Sequence, residues 1–284
     1  MRRRSFGRVG IVGLGLVGSS LGLALRKHGV CKEVFGFDTD PEARDTALQV
    51  GAVEQTYETL NHLAAADILV LAVPPPAVVP CLVEADVFAR DGCIVTDTVS
   101  VKAGIVSWTK TYPLRFRPRF VGGHPMAGRA NSGPAHATAD LFEGATWVLT
   151  PTADTDKAAL RTIQGLVESI GSKPLLLSPE EHDRHAAVLS HLPHVLAATL
   201  MRMSAMLTHP QMAGPSWADL TRVAASSPEL WQSIIANNRD EVVSALHDLE
   251  YHLKEMRDFI QAHDDQKVLE LLSEAKRLKD ETNR

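Results

Sequence analysis

The chain has 284 residues, which corresponds to one large domain or two of ordinary size. Apolar residues make up 45% of it and charged residues 22%, a balance that allows a packed core and excludes a disordered chain. A formal net charge of −5 does not indicate nucleic acid or an anionic membrane as a partner. The three cysteines have neither metal nor redox spacing and favour a reducing compartment.

The N-terminal segment has some features of an export signal. Arg2, Arg3 and Arg4 precede an apolar stretch over residues 9–25, but four glycines interrupt that stretch. A secretory signal needs an unbroken apolar run and a small-x-small cleavage site. No later stretch is long and uncharged enough to span a bilayer. We therefore expect a cytoplasmic protein.

Short apolar or β-branched runs alternate with helical segments through the first half of the chain. The predicted strands are Arg8–Val12, Glu33–Phe37, Ile68–Val73, Cys93–Thr96, Phe120–Gly122 and Thr146–Leu149. Such runs, separated by amphipathic helices, are typical of a parallel sheet covered on both faces. The pattern predicts an α/β fold whose N-terminal domain, residues 1–176, is a Rossmann-type, doubly wound, mostly parallel sheet. A helix over Asp154–Ile170 completes this domain, and Pro174–Leu177 has the composition of one further short strand.

The pattern changes to helical periodicity after Ser178. Ser178-Pro-Glu-Glu has the N-cap, the N1 proline and the first-turn acids of a helix start. Breaks at His209–Ser216 and at Ser226-Ser227-Pro228 divide the helices that follow. The sequence therefore predicts an all-α domain over residues 177–284.

An apolar stripe on one face of a late helix suggests what this domain does. Its members are Leu246, Leu249, Leu253, Met256 and Ile260. Such a stripe must be buried, and pairing with the same helices of a second subunit would bury it, so we expect a homodimer. The alternative is a helical cap folded onto its own sheet domain.

A glycine fingerprint follows the first predicted strand. In Gly13-x-Gly15-x-x-Gly18, the first glycine allows a tight turn, the second allows close approach to a pyrophosphate, and the third allows helix and strand to pack closely. The pyrophosphate would bind the free N–H groups at the helix N-terminus. Asp38 ends the second strand, where a carboxylate can accept hydrogen bonds from ribose hydroxyls.

The same carboxylate favours NAD over NADP, because Asp38 would repel a 2′-phosphate and no arginine directly follows the strand. Val73 and Pro74, at the end of a strand, form either part of the cofactor floor or only a rigid turn. The predicted cofactor-binding residues are Gly13, Gly15, Leu16, Val17, Gly18, Asp38, Val73 and Pro74.

Two polar residues lie where strands end at the carboxyl edge of the predicted sheet. His124 stands between glycines and a proline after its strand, and a neutral imidazole there can accept a hydroxyl proton. A structural histidine in a glycine-rich turn is the alternative. Ser100 could bind either the imidazole or the substrate hydroxyl.

The helical half offers histidines and one arginine. His182 and His185 point away from His191 and His194 on a helix, so we expect no metal site. His191 and His194 share a face and flank Pro193, which is expected to kink the helix. Arg222 is either a fork for a substrate carboxylate or half of an ion pair with Asp219.

These motifs together carry a family resemblance. In chain order they are Gly13–Gly18 with Asp38, Asp97-Thr-x-Ser100-x-Lys102, Gly123-His124-Pro125-Met126-Ala127-Gly128, Ser190-His191-Leu192-Pro193-His194 and Arg222-Val-Ala-x-Ser-x-Pro-x-x-Trp231. From Arg8 to about Arg239 the chain resembles the prephenate/arogenate dehydrogenases of tyrosine biosynthesis. The resemblance implies NAD(P)-dependent oxidative decarboxylation of a cyclohexadienol.

The resemblance also implies roles for single residues. His124 would be the base, supported by Ser100, and Arg222 would hold the ring carboxylate. His191, His194 and Trp231 would line the substrate pocket.

The chain departs from the family pattern in a few places. Arg129 and Ala130 stand where the family has Thr and an acid, so Arg129 could recognise the substrate side chain or a cofactor phosphate. Ala218 replaces a lysine found in some members, so we expect no gating ion pair with Asp219 there. Any feedback inhibition by tyrosine is expected at the active site itself. Prephenate is favoured as the substrate, and arogenate or dual specificity for both is the alternative.

Two other functions fit the fingerprint. A β-hydroxyacid or imine reductase would use a lysine from the helical domain, whereas the candidates for proton transfer here are histidines. A non-catalytic NAD sensor would keep the glycines without His124, Ser100, Arg222 and His191.

Overall fold

The apolar runs of the first half form one sheet in the computed structural model, which describes residues 5–116, 119–129 and 131–282. The strands are β1 (Arg8–Val12), β2 (Glu33–Phe37), β3 (Gln55–Tyr57), β4 (Ile68–Leu71), β5 (Ile94–Asp97), β6 (Phe120–Pro125), β7 (Thr146–Thr150) and β8 (Lys173–Leu176). Their order is 3-2-1-4-5-6-7-8, and every neighbouring pair is parallel except β6 and β7. The predicted doubly wound, mostly parallel fold is confirmed. Ala130 and the arginines at positions 2–4, considered above, lie outside the described residues.

Three strands differ from the predictions by more than one residue. Strand β4 ends at Leu71, two residues before the predicted end at Val73. The edge strand β3 was not predicted, because its three residues are only partly buried and show no apolar run. Strand β6 continues to Pro125, three residues beyond the predicted end, because it pairs with β7 along this extension.

Helices cover both faces of the sheet because alternate strand residues point to opposite sides. Val9 and Ile11 belong to one apolar cluster, whereas Val12 belongs to the other. Helices α1 (Leu16–His28), α2 (Pro41–Gln49) and α5 (Lys157–Ser169) contribute to the first cluster, and α3 (Pro75–Phe88) and α4 (Ala103–Thr111) to the second.

The chain from Ser178 onward is helical, as predicted. Helix α6 (Pro179–Ala186) begins at a capping box in which Ser178 and Glu181 bond each other's backbone N–H groups. A π-helical turn over Ala187–His191 leads into α7 (Leu192–Ser204). The irregularity expected at Pro193 is this turn, which precedes a proline that has no N–H to donate. Helices α8 (Pro215–Thr221) and α9 (Pro228–Asn237) follow.

The structure divides into two compact units, Met1–Asn238 and Arg239–Arg284. The second unit is a hairpin of α10 (Arg239–Gln261) and α11 (Asp265–Thr282), which turns where His263 has a left-handed φ of 57°. Many of its large apolar side chains are exposed, among them Val243, Tyr251, Leu253, Ile260, Leu269, Leu272 and Leu278. Among the described residues, no helix is long and apolar enough to cross a membrane.

Candidate active site

A cavity of about 470 Å³ lies at the carboxyl ends of β1, β2 and β4. Six of the predicted cofactor residues line it: Gly13, Gly15, Leu16, Asp38, Val73 and Pro74. The other two predicted residues, Val17 and Gly18, are not part of the lining. Its position at the carboxyl edge of a doubly wound sheet is where such folds bind dinucleotides.

The turn between β1 and α1 shows why each glycine is present. Gly13 has a positive φ of 91°, which favours glycine. A Cβ atom on Gly18 would collide with the carbonyl oxygen of Gly13, so this glycine allows helix and strand to pack closely. A Cβ on Gly15 would meet nothing within 4 Å and would project into open space.

The N-terminus of α1 is suited to an anion. Gly15 occupies the N-cap position, so no side chain caps the helix, and its first turn contains no acidic residue. The first N–H groups of the helix therefore remain available, and the helix dipole favours negative charge at this end.

Asp38 is held in a fixed orientation at the end of β2. Its Oδ2 accepts a hydrogen bond of 2.7 Å from the Leu14 N–H, and its Oδ1 accepts one of 2.9 Å from the Asp40 N–H. Arg44 lies on α2, yet its guanidinium donates to the carbonyl oxygen of Asp38 at 2.7 Å. The Arg44 guanidinium is thus closer to Asp38 than the position of Arg44 on the next helix indicates.

A second cavity, of about 400 Å³, adjoins the first. Ser100, Leu230 and Ile234 line both cavities. The second is also lined by His124, Arg129, His194, Arg222 and Trp231. The structure therefore brings together all but one of the residues predicted for catalysis and substrate binding.

His124 lies within β6 and not in a turn after the strand, as the sequence indicated. It pairs with Val148 of β7 and is only 8% exposed. Burial lowers the pKa of His124 well below its usual value, and the charges of His182, Lys102 and His191 lower it further. The imidazole is therefore neutral at pH 7 and able to accept a proton.

The other ring nitrogen of His124 contacts a second histidine. Nδ1 of His124 lies 2.8 Å from Nε2 of His182, and Nδ1 of His182 lies 2.7 Å from Oδ1 of Asp183. Asp183 also accepts hydrogen bonds of 2.8 Å from the backbone N–H groups of Lys102 and Ala103. All three side chains of this row are buried.

Sequence reasoning missed His182 and Asp183 as part of the site. One signal was available, because Pro179, His182, Asp183 and Ala186 form the buried face of α6 at helical spacing. Two polar side chains on a buried helix face need hydrogen-bond partners elsewhere in the fold.

A buried ion pair fixes the segment that precedes α4. The Lys102 ammonium contacts the Asp97 carboxylate, and both side chains are fully buried. Burial lowers the pKa of Lys102, and the charge of Asp97 opposes that shift. Oδ1 of Asp97 accepts a hydrogen bond of 3.0 Å from the Gly123 N–H, which ties this segment to the strand that carries His124.

Ser100 is half-buried at the junction of the two cavities. No hydrogen bond joins its hydroxyl to His124 within the described part of the chain. Of its two predicted partners, a substrate hydroxyl therefore fits the structure better than the imidazole.

Aromatic rings form one wall of the second cavity. The rings of His194 and Trp231 stack with their centroids 3.2 Å apart. His191 is fully buried and does not line the cavity, contrary to its predicted position. Its Nδ1 lies 3.1 Å from Nδ2 of Asn238, and burial lowers the pKa of His191 to about 4. The π-helical turn that ends at His191 changes which faces these two histidines present.

Arg129 and Arg222 give the second cavity positive charge. Both are exposed, and Arg222 forms no ion pair with Asp219, although both residues are described. The described lining contains no Asp or Glu. Over residues 5–116, 119–129 and 131–282, no group of three or more His, Cys, Asp or Glu residues could hold a metal ion. The cavity is suited to a ligand with carboxylates.

Comparison with known proteins identifies the family. Residues 21–176 match the model of the prephenate dehydrogenase nucleotide-binding domain, and residues 178–274 match that of the prephenate dehydrogenase dimerization domain. The chain is 31% identical over 281 residues to prephenate dehydrogenase of Bacillus subtilis. The match covers 95% of this chain and 74% of that protein.

Solved structures agree with this. The prephenate dehydrogenase of A. aeolicus in complex with hydroxyphenyl propionate and NAD+ matches with a TM-score of 0.88 and 30% identity over 97% of this chain and 98% of that one. Synechocystis arogenate dehydrogenase matches with a TM-score of 0.81 and 30% identity over 96% of this chain and 99% of that one. On these matches and the geometry above, the chain belongs to the prephenate dehydrogenase family.

Proposed function

We propose that the protein catalyses the NAD-dependent oxidative decarboxylation of prephenate to 4-hydroxyphenylpyruvate, a step of tyrosine biosynthesis. The observation that carries the proposal is the junction of the two cavities at Ser100, with a neutral histidine in the wall of the second. A dinucleotide in one cavity and a small carboxylic acid in the other would meet there. The names of the A. aeolicus and Bacillus subtilis relatives support the same reaction.

The first cavity fits NAD. The open space above Gly15 and the uncapped N-terminus of α1 would accommodate a pyrophosphate, and Asp38 would accept hydrogen bonds from the adenosine ribose. When bound, NAD would accept a hydride from the substrate.

The chain's own residues would accept and return one proton and bind the ring carboxylate. Because Nδ1 of His124 contacts His182, Nε2 is the nitrogen left to accept the proton of the C4 hydroxyl. Arg222 would bind the ring carboxylate until CO₂ leaves, and the electrons of the broken C–C bond would then complete the aromatic ring. The phenolic oxygen regains one proton, so His124 returns to its neutral form.

We expect a higher kcat/KM with NAD than with NADP, because the Asp38 carboxylate would repel a 2′-phosphate. In Asp38→Ser this repulsion is absent and Arg44 remains nearby, so the preference should fall by about tenfold or more. Steady-state kinetics with both cofactors measures the ratio. Equal use of the two by the wild-type protein would contradict the assignment.

Two glycine substitutions should separate binding from folding. Gly15→Ala would leave the melting temperature within roughly 2 °C of the wild-type value but weaken NAD binding by about tenfold or more, because its methyl group projects into the cavity. Gly18→Ala would lower the melting temperature, because its Cβ collides with backbone. Calorimetry with and without NAD measures the melting temperature and the NAD affinity of each variant. A stable Gly15→Ala protein with normal NAD affinity would disprove this use of the cavity.

Prephenate should be a better substrate than arogenate by kcat/KM. Prephenate carries two carboxylates, whereas the side chain of arogenate also carries an ammonium, which the positive charge of Arg129 and Arg222 disfavours. The assay follows the absorbance of reduced cofactor with each substrate. Arg129→Gln should narrow the difference, and a wild-type protein that prefers arogenate would refute this specificity.

We also propose a homodimer formed through the C-terminal helices. The dimerization-domain match and the exposed apolar side chains of α10 and α11 support it. The division at residues 1–176 and 177–284 is supported by the ranges of the two family models. A cytoplasmic location is inferred from the three cysteines, all of which are free thiols.

A further inference from the structure

The row of buried side chains behind His124 has entered the chemistry only through the contact of His182 with Nδ1 of His124. It runs from His124 through His182 to Asp183, with ring-to-ring and ring-to-carboxylate distances of 2.8 Å and 2.7 Å. His182 and Asp183 do not line either cavity, so they can act on a substrate only through His124.

The hydrogen-bond directions along this row follow from Asp183, its last member. The Asp183 carboxylate already accepts from two backbone N–H groups, those of Lys102 and Ala103, and a carboxylate can only accept from a third donor. Nδ1 of His182 must then carry a proton, and in a neutral ring its Nε2 becomes an acceptor. His124 consequently donates from Nδ1, and its Nε2 carries the lone pair.

We propose that His182 and Asp183 are positioning residues that hold His124 in the tautomer protonated at Nδ1, with Nε2 free to act as the base. This rests on the proposed function only in taking His124 as the proton acceptor. The row also stabilises the cation that forms when His124 takes up a proton, because its Nδ1–H points towards a ring that hydrogen-bonds a carboxylate.

The arrangement of the surrounding backbone supports this assignment. Asp183 binds the N–H groups of Lys102 and Ala103 at the start of α4, and the Lys102 side chain is paired with Asp97. The Asp97 carboxylate in turn binds the N–H of Gly123, next to His124. The carboxylate that orients His182 is thus fixed to the segments that hold the base.

Two substitutions of His182 distinguish positioning from packing. His182→Leu removes the acceptor, and we expect kcat to fall by about 10²-fold with little change in substrate KM or in NAD affinity. His182→Gln keeps an acceptor for His124 and a donor for Asp183, so it should restore kcat to within about tenfold of the wild-type value. His185→Gln is the matched control, because His185 lies on the same helix but is exposed, and its kcat should not change.

The tautomer can also be read without an assay of activity. Nitrogen-15 NMR of the histidine-labelled wild-type protein should show His124 protonated at Nδ1 and unprotonated at Nε2. His124 protonated at Nε2, or equal loss of kcat in His182→Gln and His182→Leu, would overturn the proposal. If His182→Leu does not fold, the wild-type spectrum still decides. A protein that fails to oxidise prephenate contradicts the proposed function instead, and the spectrum remains a separate test of the tautomer.

Discussion

Replacing His124 with Asn is expected to lower kcat by about 10²–10⁴-fold and to leave NAD binding intact. The proposed base is lost, while the first cavity, which His124 does not line, is unchanged. Asn is smaller than His, so it fits the buried position in β6 without a clash. Single-turnover kinetics, with NAD affinity measured by calorimetry, separates the two effects.

The pH dependence of the wild-type protein examines the same residue. Burial lowers the pKa of His124, and a base is active only when unprotonated, so kcat should stay level as the pH falls through the usual histidine value. It should decline only in more acidic solution. His185→Asn is the control for loss of a histidine, and an unchanged kcat in His124→Asn would remove His124 as the base.

Arg222→Gln should mainly raise the substrate KM, by about 10- to 100-fold, because a charge-assisted, two-pronged bond to a carboxylate is lost. Arg222 lines the second cavity and has no ion pair with Asp219 to replace, so its guanidinium is available to the substrate. NAD affinity should not change. Initial rates over a range of prephenate concentrations give KM and kcat.

Two further variants test that assignment of Arg222. Arg222→Lys keeps the charge but loses the planar fork of the guanidinium. Its substrate KM should lie between those of the wild-type protein and Arg222→Gln. The control is Arg161→Gln, because Arg161 is exposed on α5 and lies outside both cavities. Its substrate KM should equal that of the wild-type protein. A normal KM in Arg222→Gln would remove this residue from the substrate site.

The parts of the fold that the sequence predicted well depend on neighbouring residues. Strands β1 and β2 begin and end where their apolar runs do, and Gly13 and Asp38 lie at the ends of those strands. A left-handed φ, an uncapped helix and an apolar run are local properties. The start of α6 at Ser178 was recognisable for the same reason.

The parts that the sequence did not predict depend on distant contacts. His124 and His182 are 58 residues apart, and nothing in the sequence around either one indicates the other. The position of His191 also depends on a π-helical turn and on Asn238, so the face that it was expected to share with His194 did not predict its burial outside the cavity. The short edge strand β3 owes its structure to pairing with β2.

The alternative functions weighed for the fingerprint fit the structure less well. A reductase of the lysine type would need a lysine in the second cavity, and among the described lining residues there is none. A non-catalytic sensor has no need for a neutral histidine and two arginines in a cavity that adjoins the nucleotide site.

The most direct test of the proposed oxidative decarboxylation is the ratio of released CO₂ to reduced cofactor. Purified protein is mixed with NAD and prephenate labelled in its ring carboxylate, and reduced cofactor and released CO₂ are measured together. We expect one CO₂ for each reduced cofactor, with 4-hydroxyphenylpyruvate as the product. Reduced cofactor without release of labelled CO₂, or no reduction at all, would contradict the account.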